Sequence, residues 1–542
     1  MGTRVAIIGG GIAGLSAGIF AAREGYDTVI YEKNPVAGGS CSYWRRGDYT
    51  IDNCIHWMIG TKDGSEQNGL WREINALTED TEIYRRESFY YSELDGQRIT
   101  LWRDIDRTEA EMLALSPEDE KEIHRFIDSV KLAESLMLPK EHPFDFRNAF
   151  EEVNLSVSRQ EVVKILFEYG GLTLEHVADR FKHPLLKRVI LDFSLKEYEA
   201  YWLVLSYSFF VAGDADVPVG GSRGVAKRLI ETYKAEGGKL VCGMPVKHIV
   251  LSKKRMTLDW QVFDPLSVNF YSVRKVRTRK GEGLVLADDS YVEADYIICA
   301  CDLDHTFNHL LKKKYTPKSF KKIYKNKKNI VYSAFTVAFA VDGVMEEVDD
   351  TVTFPCEPMD VGRKVVDRIM VKNYRKYGDY IAPEGKTVIQ CMIYQYEDDY
   401  RYWQKLKKNL PLYQNAKKNL ADAVRMRIER RYPKYEGHIH LLDAWTPVTY
   451  AERNNDYEGA FMRAITTMTN TSAFMPTDIR GLRNVFLASH WLRYPGGMPT
   501  ASTMGKVAVE RIKRLETKEP NLLGELWNQA PGGLKVEKHD NT

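Results

Sequence analysis

Three glycines and a glutamate carry the first chemistry legible in this sequence. Residues 4–33 read RVAIIGGGIAGLSAGIFAAREGYDTVIYEK, with Gly9-x-Gly11-x-x-Gly14 early and Glu32 near the end. Gly9 permits a tight turn, and Gly11 lets backbone approach a pyrophosphate. Gly14 lets a helix lie close against a strand. Ile12 and Ala13 open that helix, whose N-terminus carries roughly half a positive charge and favours phosphate. Glu32, 18 residues after Gly14, can accept from both hydroxyls of a ribose, and Lys33 follows it. A carboxylate there repels a 2′-phosphate, which disfavours NADP.

The elements needed to position these residues are present. Val5–Ile8 predicts a buried strand, Ile12 to about Arg23 a small-residue helix, and Thr28–Tyr31 a second strand. That is a Rossmann-like βαβ unit with the fingerprint in its proper context.

Two further glycine pairs ask for the same kind of ligand. NPVAGGSCS places Gly38, Gly39 and Ser40 just beyond Glu32. SHWLRYPGGMPTAST (489–503) sets Gly496-Gly497 between two prolines, after the apolar run 485–488. The first pair resembles the two-dinucleotide-binding-domain flavoproteins, in which a glycine pair follows the ribose-binding acid and the cofactor is FAD. That class often has Arg where this chain has Ser40.

Longer stretches extend the likeness. DVPVGGSRGVAKRLIETYKAEGGKLVCGMPVKHIVL (216–251), ADYIICACDLDHT (294–306), APEGKTVIQCMI (382–393), DAWTPVTYAERNNDYEGA (443–460) and RGLRNVFLASHWLRYPGGMPTASTMGKVAVERI (480–512) occur in order. Together they resemble the phytoene desaturase-like FAD oxidoreductases: carotenoid desaturases, isomerases and retinol saturase. The resemblance implies that Val246 meets the adenine and that the strand before Ala300 returns to the cofactor. It also implies that Asp52-Asn53-Cys54-Ile55-His56-Trp57 runs beside the flavin ring. Ser489, Gly496, Gly497, Met498 and Thr500 would then present backbone amides to the ring edge, with a helix starting at about Thr500. The chain departs from the family at Ser489-His490 and at the Thr500–Thr503 helix start.

Four side chains then become candidates for chemistry. His56 is either a general acid or base near the ring, or a hydrogen-bonded residue that orients it. His490 sits at the ring edge. Arg493 stabilises an anionic flavin, binds a substrate carboxylate, or forms a structural ion pair. Tyr494 delivers a proton or packs. Cys54, Cys299 and Cys301 read as core residues. The resemblance implies hydride transfer at a carbon–carbon bond of an apolar lipid- or polyene-like substrate: desaturation, saturation or double-bond isomerisation. Flavin amine oxidase is the alternative enzyme, and a prenyl-binding protein like the GDP-dissociation inhibitors is the non-enzymatic one.

Composition agrees with a globular protein. The 542 residues are 44% hydrophobic and 28% charged, with a net charge of +2, so no nucleic-acid partner is implied. Seven scattered cysteines without a CxxC pair argue against a disulfide framework and a metal site, and fit a reducing compartment. The expected location is the cytoplasm or a membrane periphery, with a diffusible electron donor or acceptor. The membrane reading rests on nine lysines and no acid between Lys312 and Lys328, a segment that also reads as a solvated helix face. The expected fold is α/β: a Rossmann-like FAD-binding domain (1–80, 216–304, 471–520) with an interleaved α+β substrate domain (81–215, 305–470) and a tail (521–542). A hairpin is expected at 87–104, a β-meander at 255–290, a sheet over 330–395 flooring the substrate cavity, and a helix over 413–431.

Overall fold

The computed structural model describes residues 2–134, 165, 168–262, 271–325, 329–348, 350–465, 475–493 and 495–517. Strand β1 (Arg4–Ile8), helix α1 (Ile12–Arg23) and strand β2 (Asp27–Tyr31) form the expected βαβ unit. β1 lies in the middle of a five-stranded parallel sheet. β2 and Lys239–Val241 lie on one side of it, Tyr296–Cys299 and Val485–Leu487 on the other. Buried apolar residues on both faces explain the near-continuous apolar run of β1.

The final described helix, Gly497–Thr517, packs on α1. Small residues allow the contact: a Cβ on Gly505 would stand 2.5 Å from the Ala13 carbonyl oxygen and 2.8 Å from the Ala17 nitrogen. The buried Ser16 hydroxyl donates to the Ser502 carbonyl at 2.8 Å. This packing brings the late glycine turn beside the first loop. The helix starts at Gly497, not at about Thr500 as expected, because Gly496 and Gly497 make the turn with φ of +96° and +84° and the helix follows at once.

A seven-stranded sheet forms the second layer, in the order Ile439–Trp445, Tyr332–Val341, Thr387–Tyr396, Lys364–Asn373, Thr351–Val361, Ser88–Leu94, Gln97–Trp102. The hairpin expected at 87–104 is its edge. Alternation divides Tyr332–Val341 between two faces. Phe335, Val337 and Phe339 pack toward the helix Leu410–Arg431, while Tyr332 faces the cavity. Helices Glu120–Glu134 and Tyr201–Val211 bury Phe126, Tyr207 and Phe210 in a core of their own. The 255–290 meander divides in two. Arg255–Val262 pairs with Tyr271–Thr278, and Gly281–Leu286 joins Val246–Leu251 and Tyr291–Glu293. No described helix is long and apolar enough to cross a membrane.

Candidate functional site

One cavity of about 1380 Å³ runs between the two sheets. Gly9, Gly11, Ile12, Ala13, Glu32, Lys33, Gly38, Gly39, Ser40 and Val246 line one end. His56, Trp57, Ser489, His490, Arg493, Gly496, Gly497, Met498 and Thr500 also line it, as does Ala300. Cofactor candidates from opposite ends of the chain thus share one wall. Gly14 lies behind that wall: a Cβ there would collide with the Gly9 carbonyl, so its role is helix–strand packing.

The residues fit an extended dinucleotide. A Cβ on Gly11 would find nothing nearer than the Gly39 Cα at 3.7 Å, so it would project into the cradle. Helix α1 has no side-chain cap at Gly11, which leaves its first N–H groups to a ligand. The buried Glu32 carboxylate accepts from the Gly10 N–H at 2.8 Å and from the Asn34 N–H and amide at 2.8 and 2.7 Å. These bonds aim it, with acceptor capacity left over. Along the cavity, the buried Nδ1 of His490 has no hydrogen-bond partner among the described residues. The same holds for Oδ1 of Asn53 and Asn454, which line it too.

Several candidates have protein partners. The Lys33 ammonium donates to the Glu452 carbonyl at 2.6 Å and to Asn455 Oδ1 at 2.7 Å. Ser40 Oγ accepts from Asn454 at 3.0 Å. The loop 454–456 is therefore part of the wall. It also brings Asp456, whose carboxyl is raised to about 7 by burial. Its neighbour Asp302 is pushed well up by burial and by Asp456. The sequence offered only Asn-Asn-Asp as a turn signal here. Tyr494 lies outside the described residues.

Both candidate histidines are neutral. Burial, with Lys372 and Arg86 nearby, lowers His56 to about 3. Burial and Arg463 lower His490 to about 4. Lys372 and Arg86 are themselves buried: Lys372 donates to Asp350 at 2.6 Å, and Arg86 lies 3.7 Å from the same carboxylate. The His56 ring therefore carries no charge near neutrality. As a neutral imidazole it donates one hydrogen bond and accepts another.

Beyond Trp57 and Met462 the cavity becomes aromatic. Phe193, Tyr198, Trp202, Phe209, Tyr332 and Phe461 line this arm. Phe461 meets Tyr332 edge-on at 5.7 Å, and Tyr332 meets Tyr198 at 6.4 Å.

The chain belongs to the flavin containing amine oxidoreductase family, whose sequence profile matches residues 12–513. Its relatives include the all-trans-retinol 13,14-reductase of Danio rerio, 20% identical over 94% of this chain and 86% of that protein. The 4,4'-diaponeurosporene oxygenase of Staphylococcus haemolyticus is 21% identical over 95% of this chain and 98% of its own. The neurosporene-forming phytoene desaturase of Rhodobacter capsulatus is 20% identical over 57% of this chain, which spans 54% of that relative's length. Among solved structures, putrescine oxidase bound to putrescine superposes with a TM-score of 0.56 at 15% identity, covering 95% of this chain and 100% of that one. Cyclohexylamine oxidase from Brevibacterium oxydans gives 0.53 at 13% identity, over 95% and 100%. These structures share the fold of a Rossmann-like FAD-binding domain with a substrate domain. The cofactor of this protein is FAD, and the protein is a flavin-dependent oxidoreductase.

Proposed function

We propose that this protein moves hydride to or from a carbon–carbon bond of an apolar, polyene-like substrate. The observation that carries the reading is the single cavity in which both glycine turns and the aromatic arm meet. Bound FAD supplies a two-electron acceptor or donor at its ring. Gly11, Ile12 and Ala13 hold the pyrophosphate by backbone, and Glu32 holds the ribose. The N-terminus of helix Gly497–Thr517 offers positive dipole to the ring edge. His56 and His490, both neutral, orient by hydrogen bonding and add no charge beside an apolar substrate. The aromatic arm excludes water from the reacting carbon. Arg493 is 8% exposed, which fits a charge held at the ring and not one reaching solvent.

The three cofactor-binding segments 1–80, 216–304 and 471–520 are supported by the parallel sheet, all five strands of which fall inside them. The exposed Lys312, Lys313, Lys314, Lys318 and Lys321 support a contact with an anionic membrane surface.

The test is anaerobic. Oxidised holoprotein is mixed with all-trans-retinol, phytoene, lycopene or putrescine, and dithionite-reduced holoprotein with the same polyenes. Bleaching or recovery of the flavin band with a polyene is expected. Rapid bleaching by putrescine with no polyene response would contradict the reading.

A further inference from the structure

Two cysteines on the cavity wall carry chemistry that hydride transfer does not use. Strands β3 (Tyr43–Arg46) and β4 (Tyr49–Asp52) form a hairpin in which Tyr43 faces Asp52. Carried one residue outward, that register sets Ser42 opposite Asn53. That step holds, because the Asn53 N–H donates to the Ser42 carbonyl at 3.0 Å. Beyond it the backbone bends, with the Ser42 N–H donating to the Ser40 carbonyl at 2.9 Å, and Cys41 and Cys54 flank that last pair. Ser222 holds the two segments together, its carbonyl beside the Cys41 sulfur and its hydroxyl accepting from the Ile55 N–H at 3.1 Å. Cys54 lies close enough to raise the Cys41 thiol. All seven cysteines are free.

The two thiols differ in surroundings. Cys41 is 2% exposed, with its sulfur 3.8 Å from the Ser222 carbonyl. Cys54 is half-buried beside Met498, sulfur to sulfur 3.7 Å, and both cysteines line the cavity.

We propose that Cys41 and Cys54 form a peroxide-responsive dithiol that closes to a disulfide on the cofactor cavity. The Cys54 sulfur attacks one oxygen of hydrogen peroxide. The O–O bond breaks, and the leaving hydroxide takes the thiol proton as water, giving a sulfenic acid. The Cys41 sulfur then displaces the sulfenic hydroxyl, which leaves with the Cys41 proton as a second water. In balance, two thiols and one peroxide give one disulfide and two waters, and the two electrons lost by sulfur reduce the peroxide. Cavity exposure assigns the first attack to Cys54. The neighbouring Cys54 thiol and burial raise the Cys41 thiol, which suits a resolving partner that reacts only with an adjacent sulfenic acid. The bridge would tie the Gly38–Ser40 turn to the loop presenting His56.

The inference stands apart from the assignment of substrate and is tested by thiol chemistry. Holoprotein purified under reducing, anaerobic conditions is treated with hydrogen peroxide, then denatured and its thiols counted. The count falls from seven to five and dithiothreitol restores it. Tryptic digestion yields peptide 34–45 joined to peptide 47–62, two hydrogens lighter than their sum. In Cys41→Ser the joined peptide is absent and dimedone captures a sulfenic acid at Cys54. In Cys54→Ser residue 41 keeps its thiol. Absence of the joined peptide from the wild-type protein, at a peroxide concentration that oxidises Cys356, overturns the proposal whether or not the variants fold. So does oxidation of Cys41 in Cys54→Ser.

Discussion

Asp52 takes two hydrogen bonds from Ser222, from its N–H at 2.7 Å and its hydroxyl at 2.6 Å. The same carboxylate accepts from the N–H groups of Cys54 at 3.1 Å and Ile55 at 3.2 Å. One fully buried side chain therefore joins the loop that presents His56 and Trp57 to the start of the helix Gly221–Ala235. The helix N-terminus favours its negative charge. A Cβ on Gly221 would collide with the same carboxylate, so glycine is required there.

Asp52→Ala should cost about 1–3 kcal/mol for each donor it leaves buried and unpaired. The expected outcome is a lower Tm by calorimetry and partial loss of FAD on gel filtration. An unchanged Tm with full flavin would show that this link does not hold the loop.

Gly11→Val and Gly14→Ala should fail differently. At Gly11 the added side chain enters the cofactor cradle without touching other elements, so the protein should fold by circular dichroism yet purify without colour. At Gly14 the added methyl meets the Gly9 carbonyl, an overpacking that costs about 1–3 kcal/mol. That variant should lose thermal stability first and colour second. Colour retained in Gly11→Val would remove the pyrophosphate from this loop.

His56 should contribute no inflection to the pH dependence of flavin reduction between pH 5 and 8. Its imidazole is lowered to about 3 and is neutral throughout that range. His56→Gln, which keeps a donor and an acceptor, should change the rate of reduction in stopped-flow mixing without changing the shape of the profile. An inflection near pH 6.5 that vanishes in His56→Gln would mean that the histidine titrates normally.

Asp456 should make stability fall as pH rises. Its carboxyl is lifted from an ordinary 3.8 to about 7, so the folded chain holds a proton that the unfolded chain releases. That contribution is complete below about 3.8 and is lost as pH rises toward 7. Asn454 donates to the same carboxyl at 3.0 Å and Lys33 acts on it, while Asp456 in turn pushes Asp302 up. Asp456→Asn should therefore gain in Tm over wild type progressively from pH 5 to pH 7.5, measured by calorimetry. A constant difference across that range would place the carboxyl pKa in the ordinary range.

Features written in local pattern were legible in the sequence. The 4–33 unit was, because an apolar strand, a glycine turn and a small-residue helix each leave a periodic signature. The 87–104 hairpin was also legible around Asp95-Gly96, but not its place on the edge of the sheet that holds Tyr332. That pairing joins segments far apart in sequence and depends on which faces are left apolar. Asn454 and Asp456 were missed as wall residues for a related reason: only the folded chain brings their loop to Ser40 and Lys33. The neutrality of His56 depends on Lys372 and Arg86, which arrive from other elements of the fold. The nearness of Cys41 and Cys54 follows from the pairing of β3 with β4, which the residue types alone do not fix.

The central claim is that one FAD spans the first glycine loop and the late one. A crystal structure of the coloured protein tests it most directly. The pyrophosphate should lie against the backbone of Gly11–Ala13, the ribose hydroxyls at Glu32, and the flavin ring edge at Gly496–Met498. Electron density for the ring at a site remote from Gly496–Met498, or for the pyrophosphate bound by side chains away from Gly11, would contradict the account.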